Sequence, residues 1–397
     1  MWIIFYNILQ EKKLCFFLIT SVFHHYFPLN IFKILVNVEE MLFISLTFIF
    51  ILKKMKNKFP PSFGLFFLFL IYIVFHMFFN IDTNFIDIIK IIGYFLVFYG
   101  GYYFNYSSTD DNKKLIYVVT LIPIIVFVID QVVGFQGGTV RSMSIFVNSN
   151  NFIFYSICAF WLLLLKRVPV IFLYTFIILS FLFSSTLGAI LAFILSVGFY
   201  FRNKIFKKKY ITYFTIIFVV LGLLIGFSEI YIFQRIRGTY AVIYAMLSKF
   251  SISEFADVNF GQAMLMSGQQ DGGSVSFLFR IKIWVEIVVA FFNSNIIDKL
   301  FGLGFGIVPK INSFGLVAHN DYLTWIIEGG LIGGSIIIFG LWSGIRKLYN
   351  SINIIPYLTI LIYFSSENLY FNFYGMILFI YCLAYSLKLI KNENITN

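Results

Sequence analysis

Apolar residues run through this chain in long blocks separated by short polar stretches rich in lysine. The blocks at 14–31, 34–52, 62–79, 86–104 and 115–133 are each long enough to cross about 30 Å of hydrocarbon as a helix. Further blocks lie at 151–165, 210–227, from residue 321 to about 347, at 354–364, and from about 372 to Lys388. The block 168–200 is too long for one straight helix and short for two. The polar step Ser184-Ser185-Thr186 in its middle predicts two short helices meeting there. This pattern predicts twelve membrane spans. The basic clusters at Lys53-Lys54, Lys113-Lys114, Lys166-Arg167, Lys207-Lys208-Lys209, Arg346-Lys347 and Lys388 then all fall on one side, which an excess of Lys and Arg marks as cytoplasmic. Both termini are expected on that side. The expected division is therefore 1–227 for spans one to nine, 228–318 for a large extracytoplasmic loop, and 319–397 for the last three spans.

Composition strengthens the membrane reading. The chain has 397 residues, of which 60% are hydrophobic and only 12% charged, and its mean hydropathy is +0.91. Too few polar residues remain to cover a soluble core. The expected fold class is all-α, a polytopic integral membrane protein. The net charge of +11 sits in short loops between spans, so it reads as topological anchoring and not as a nucleic-acid surface. Glu11-Lys12-Lys13 precedes an apolar run without a small-residue cleavage site, so that run is read as the first span. Cys15, Cys158 and Cys382 are odd in number and lack metal-ligand spacing, which makes them core residues.

The candidate chemistry lies from Arg141 onward. His319 and Asn320 stand immediately before an apolar helix. Asn320 is a candidate N-cap, with Asp321 in the favourable first turn. His319 would then project at the helix mouth, where a neutral imidazole can take a proton from a substrate hydroxyl; anchoring the interface or capping a carbonyl is the alternative use. His24, His25 and His76 share no metal-binding spacing with it, so no metal is expected.

Arg280 falls within the apolar stripe of the predicted helix 277–292. Phe277, Trp284, Ile287, Val288 and Phe291 lie within about 80 degrees of it at 100 degrees per residue. Lys282 and Glu286 occupy the opposite side, expected to be solvated. An arginine on an apolar face needs an anion to offset its desolvation. The anion is either an acid of the chain, Glu286, Asp298 or Glu367, or a phosphate held by the guanidinium fork; snorkelling is the remaining option. Arg141 is a second candidate anion ligand or an interfacial charge. Arg235 and Arg237 add positive charge where the ninth span emerges, suited to attracting a substrate or to binding lipid headgroups. Gly302-Leu303-Gly304-Phe305-Gly306 lacks a nucleotide-loop context. The pairs Gly329/Gly333, Gly330/Gly334 and Gly340/Gly344 predict close approach of another helix, which would hold the site rigid.

Several of these segments together resemble the O-antigen ligase and Wzy-type polysaccharide polymerase superfamily. They are His319-Asn320 followed after nine residues by Gly330 and after two more by Gly333, the preceding FGLGFG, the SFLFRIKIW around Arg280, RSMSIFVNSNNF from Arg141, and SSENLYF around Glu367. The likeness covers Arg141 to Glu367 in order and spacing, and the first four spans in character only. It implies a GT-C-like helical fold in the bacterial cytoplasmic (inner) membrane, with the active site facing the periplasm or cell exterior.

The resemblance also implies an inverting glycosyl transfer from an undecaprenyl-diphosphate-linked glycan donor to a glycan acceptor, with neither metal nor cofactor. Membrane lipids, a chain-length regulator and a flippase are the implied partners, and nucleic acid is not. His319 corresponds to the family's acceptor-activating histidine and Arg280 to its diphosphate-binding arginine, with Arg141 a further basic position. Asn320 would orient the histidine or the acceptor, and Glu367 would support either base or arginine. Two positions depart from the family pattern. Thr186-Leu187-Gly188 stands where Ser-Arg-Gly is common, so Leu187 removes a donor contact that Arg235 or Arg237 would have to replace. Asn148-Ser149-Asn150 replaces Asn-Pro-Asn. Polymerisation of repeat units is the favoured expectation. Ligation to lipid A-core differs only in the acceptor, and a lipid-linked glycan transporter or flippase is the alternative from another class.

Overall fold

The computed structural model describes residues 85–103, 149–165, 186–205, 252–262 and 272–396 apart from Phe371, together with isolated positions such as Tyr72 and His76. Most of these residues are helical, and none lies in a strand. In chain order the helices are α1 (Phe85–Tyr103), α2 (Ser149–Leu165), α3 (Leu187–Ile205), α4 (Ile252–Asp257), α5 (Gly272–Asn293), α6 (Ile296–Phe301), a 3-10 turn (Val308–Lys310), α7 (Asp321–Leu348), α8 (Ile354–Tyr363) and α9 (Phe373–Thr396). Among the described residues two helices are long and apolar enough to cross a membrane, Asp321–Leu348 and Gly375–Asn392.

Helix α2 is apolar all round, as SNNFIFYSICAFWLLLL requires, and such a helix has no face for water. It is accordingly buried along nearly its whole length, in a core to which α1, α3, α7, α8 and α9 all contribute. Aromatic rings fill that core: Trp161 lies 5.8 Å from Tyr357 and 6.1 Å from Phe379 between ring centroids. The Cys158 and Cys382 thiols are buried and unoxidised, and each points to a backbone carbonyl. Both are core residues as expected, and Cys15 lies outside the described residues.

The helix ends refine the expected spans. Thr186 is non-helical and α3 begins directly after it, in keeping with a break at that polar step. Helix α3 then continues to Ile205, beyond the predicted end at Tyr200. Arg202 makes this possible by stacking on the Tyr349 ring at 3.9 Å and donating to Phe199 O at 2.8 Å, so the charge is accommodated without leaving the helix. Helix α9 likewise runs on to Thr396.

The glycines of α7 act differently from the expected helix-packing stripe. Gly330 has φ 65 and ψ −179, so it breaks the helix into arms 321–329 and 331–348. Only glycine takes this conformation without strain. The bend receives the backbone of the preceding segment: a Cβ on Gly330 would collide with Leu300 O and Gly302 N, and one on Gly302 with Glu328 O. Leu303 N donates to Ile327 O at 2.9 Å, fastening the segment to the 321–329 arm. Of the other glycines, Gly333 gives room to the Tyr72 ring and Gly344 to Tyr357, whereas Gly340 faces nothing within 4 Å.

These contacts predict opposite outcomes for two alanine substitutions in α7. Gly330→Ala is expected to cost at least about 3 kcal/mol through backbone strain and collision. Gly340→Ala is expected to be neutral or to stabilise by about 0.5–1 kcal/mol through helix propensity. Thermal unfolding of the purified protein in detergent measures both, and equal effects would contradict the bend.

Candidate functional site

The chain reaches His319 through a tight backbone turn. His319 has φ 53, a left-handed conformation uncommon outside glycine. Its neighbours impose the turn. Trp284 of α5 donates its indole N–H to Ala318 O, and the side chain of Asn320 caps α7 by accepting from Leu323 N at 3.1 Å. Between these two anchors the imidazole stands at the mouth of α7, with 29% of its side chain exposed.

Asp321, the next residue, does more than occupy the first turn. Its N–H donates to Phe364 O at 2.8 Å, and its fully buried carboxylate accepts from Leu369 N at 2.8 Å and Tyr370 N at 3.0 Å. One residue thus ties both ends of the α8–α9 connection to the start of α7. Ser366 and Glu367 lie in that connection.

Glu367 is the meeting point of the site. Its Oε1 lies 2.7 Å from Arg280 Nη2 in an ion pair, while Oε2 accepts from Asn150 Nδ2 at 2.6 Å and faces His319 Nδ1 at 3.4 Å. Arg280 Nη1 donates to Ser366 O at 2.7 Å. The arginine and glutamate side chains are 17% and 8% exposed, so the pair is largely removed from water and neither charge is left uncompensated. Gly188, in the first turn of α3, lies against the same connection; a Cβ there would approach Ser366 Oγ to 2.6 Å. Four elements, α2, α5, the start of α7 and the α8–α9 connection, therefore supply Asn150, Arg280, His319 and Glu367, with the head of α3 beside them.

The geometry sets out chemical capacities. With Nδ1 turned to a carboxylate, a neutral imidazole holds its proton on Nδ1 and leaves the Nε2 lone pair to accept another. Arg280 uses two of its five N–H bonds on Ser366 and Glu367, which fixes the plane of the guanidinium and leaves donors for a bound anion. Among the described residues no group of His, Cys, Asp and Glu is arranged to hold a metal ion.

The structure brings together three of the candidate residues, Arg280, His319 and Glu367, and places Asn320 beside them with its carbonyl committed to the cap. Arg141, Arg235 and Arg237 lie outside the described residues. Lys282 and Glu286 need correction: they are not a solvated face. Lys282 is 2% exposed, donates to Phe255 O at 2.8 Å and pairs with Glu286 at 3.0 Å, and Glu286 accepts from Ser313 N at 2.9 Å. Helix α4 covers this side of α5, which periodicity within α5 cannot report. The sequence marks neither Asn150 nor Asp321 for the role it takes. Asn150 could have been noticed as a polar residue at the head of an otherwise apolar helix, but its partner is more than two hundred residues away.

No family model, no curated protein and no solved structure matches the chain.

The shared carboxylate predicts strong coupling across it. Arg280→Ala, which strands a mostly buried Glu367, is expected to destabilise by about 3 kcal/mol. Adding Glu367→Gln should recover at least about 1 kcal/mol of that loss. A double-mutant cycle by thermal unfolding measures the recovery, and additive losses would contradict the ion pair.

Proposed function

We propose that the chain is a membrane-embedded glycosyltransferase that polymerises undecaprenyl-diphosphate-linked repeat units into an O-antigen or capsular polysaccharide. The observation that carries this reading is the single carboxylate, Glu367, facing an imidazole and pairing with a guanidinium at the mouth of an apolar helix. A base beside a fixed cation suits a reaction in which a hydroxyl loses a proton while a phosphate leaves. The resemblance of the surrounding segments to the ligase and polymerase superfamily supports the choice of substrate. In this reading the chain has twelve spans in the bacterial cytoplasmic membrane, and the site faces outward.

In the proposed step the acceptor sugar hydroxyl gives its proton to His319 Nε2 as its oxygen attacks the anomeric carbon of the donor. A new glycosidic C–O bond forms, the bond from the anomeric carbon to the phosphate oxygen breaks with inversion, and undecaprenyl diphosphate departs with that electron pair. Charge grows on the departing oxygen, where the free donors of Arg280 stabilise it more in the transition state than in the ground state. Glu367 holds the imidazole in the required tautomer and stabilises the imidazolium that forms. Asn150 keeps the carboxylate in place through its 2.6 Å bond. Asn320 supports the acceptor side through its amide. Arg141, Arg235 and Arg237 add positive charge for the donor, and Arg235 or Arg237 takes over from the arginine that Leu187 replaces.

The purified protein, mixed with its lipid-linked repeat unit alone, is expected to produce a ladder of polymers by mass spectrometry. His319→Ala and Arg280→Ala should each lower the rate by about 10²-fold or more, with Glu367→Gln reduced to a smaller extent. Transfer only when lipid A-core is supplied would replace the polymerase with a ligase. No turnover with either acceptor by folded protein would overturn the glycosyltransferase reading in favour of transport.

A further inference from the structure

Helix α6 is built the wrong way round for a helix that faces water. In IIDKLF the apolar Ile296, Ile297 and Leu300 are 68%, 62% and 37% exposed, while the charged Asp298 and Lys299 are only half-exposed. The polar groups satisfy one another: Asn295 Nδ2 donates to Asp298 Oδ2 at 2.8 Å, and Asp298 N donates to Asn295 Oδ1 at 2.9 Å. No residue of the helix is fully buried, and of its apolar side chains only Phe301, at its end, packs against the internal core. A solvated helix shows the reverse, with its charges outward and its apolar residues covered.

The exposed surface does not stop at α6. Phe292, in the last turn of α5, is 68% exposed. On the other side, Leu300 lies against the Gly330 bend, and the next two residues of α7, Leu331 and Ile332, are 49% and 38% exposed. From there the outward face continues along the candidate membrane span through Phe339 and Trp342, 62% and 45% exposed. An apolar surface continuous with the outer face of a membrane-crossing helix has the same solvent as that helix. We infer that the end of α5 and the exposed face of α6 dip into the bilayer, with Phe292, Ile296, Ile297 and Leu300 in contact with lipid acyl chains.

The segment 228–318 is then not wholly an extracytoplasmic loop, because part of it is an interfacial anchor. Two rigid connections link this anchor to the site. Helix α5 rises about 18 Å over the twelve positions from Phe292 back to Arg280. The Gly302–Gly330 contact and the Leu303–Ile327 hydrogen bond join the end of α6 to the arm that begins beside His319. Lipid contact at α6 therefore sets the distance of Arg280 and His319 from the hydrocarbon. The inference does not depend on the reaction proposed above.

Site-directed spin labelling tests it on the full-length chain in vesicles of phosphatidylethanolamine and phosphatidylglycerol. Phe292→Cys, Ile296→Cys, Ile297→Cys and Leu300→Cys are each made with Cys15→Ser, Cys158 and Cys382 being buried. Nitroxides at all four positions are expected to collide severalfold more with oxygen than with a water-soluble nickel chelate. A chelate excess at these positions would overturn the inference by placing them in water. Low collision rates with both reagents would also overturn it: spin–spin broadening between labelled chains would show a second copy on the surface, and its absence would show cover by another part of the chain.

Discussion

The Glu367 carboxylate is the constraint around which the described structure is arranged. It is 8% exposed on its side chain, and a charge so far from water persists only if surrounding groups replace its hydration. Arg280 supplies the opposite charge, and Asn150 and His319 face the other oxygen. Each comes from a different part of the chain. The carboxylate thus draws α2, α5 and the start of α7 to one point, and the aromatic core below makes that point rigid. A pair of this kind contributes little net stability compared with apolar side chains of the same volume, but it is costly to break from one side. Its value is in orientation: the imidazole and the guanidinium face a common acceptor and cannot drift apart independently.

Two backbone devices keep the carboxylate in position. Asp321 holds the α8–α9 connection with one backbone donor and one buried carboxylate oxygen, so the connection cannot shift without breaking hydrogen bonds at both its ends. Gly330 lets the segment before the 3-10 turn press directly against α7. The 321–329 arm of α7 is consequently gripped from both sides, by Asp321 at its head and by the Gly302 contact at its foot. His319, in a left-handed conformation, sits at the head of this arm. Backbone strain of this sort survives where surrounding contacts over-determine it, and here the Trp284 and Asn320 hydrogen bonds do so.

Much of the helical layout is legible along the chain because apolar block length is a local property. The expected 86–104, 151–165 and 354–364 agree with α1, α2 and α8 to within two residues. The Asn320 cap is legible for the same reason, since its acceptor and donor are three residues apart. The errors share one origin. Lys282 and Glu286 look solvated on a helical wheel because the wheel cannot show α4 lying over Lys282 or Ser313 bonded to Glu286. Gly330 and Gly334 look like a packing stripe because a spacing of four says nothing about which glycine leaves the helix. Asn150 carries no local mark of its partner.

The sequence by itself determined the helical character of the described residues, the apolar nature of the chain, and the residue types available at the candidate site, because each follows from composition or from neighbours within a turn. It also identified His319 from its placement at a helix mouth, Arg280 from its placement on an apolar face, and Glu367 as one of three acids able to pair with that arginine. Only the tertiary structure decided that these three meet at one carboxylate, that α7 bends at Gly330, and that the apolar side of α6 faces outward. Those outcomes depend on contacts between residues tens to hundreds of positions apart. Such contacts are chosen by the burial of charge and the fit of backbone on backbone, and neither quantity is written in any short stretch of the chain.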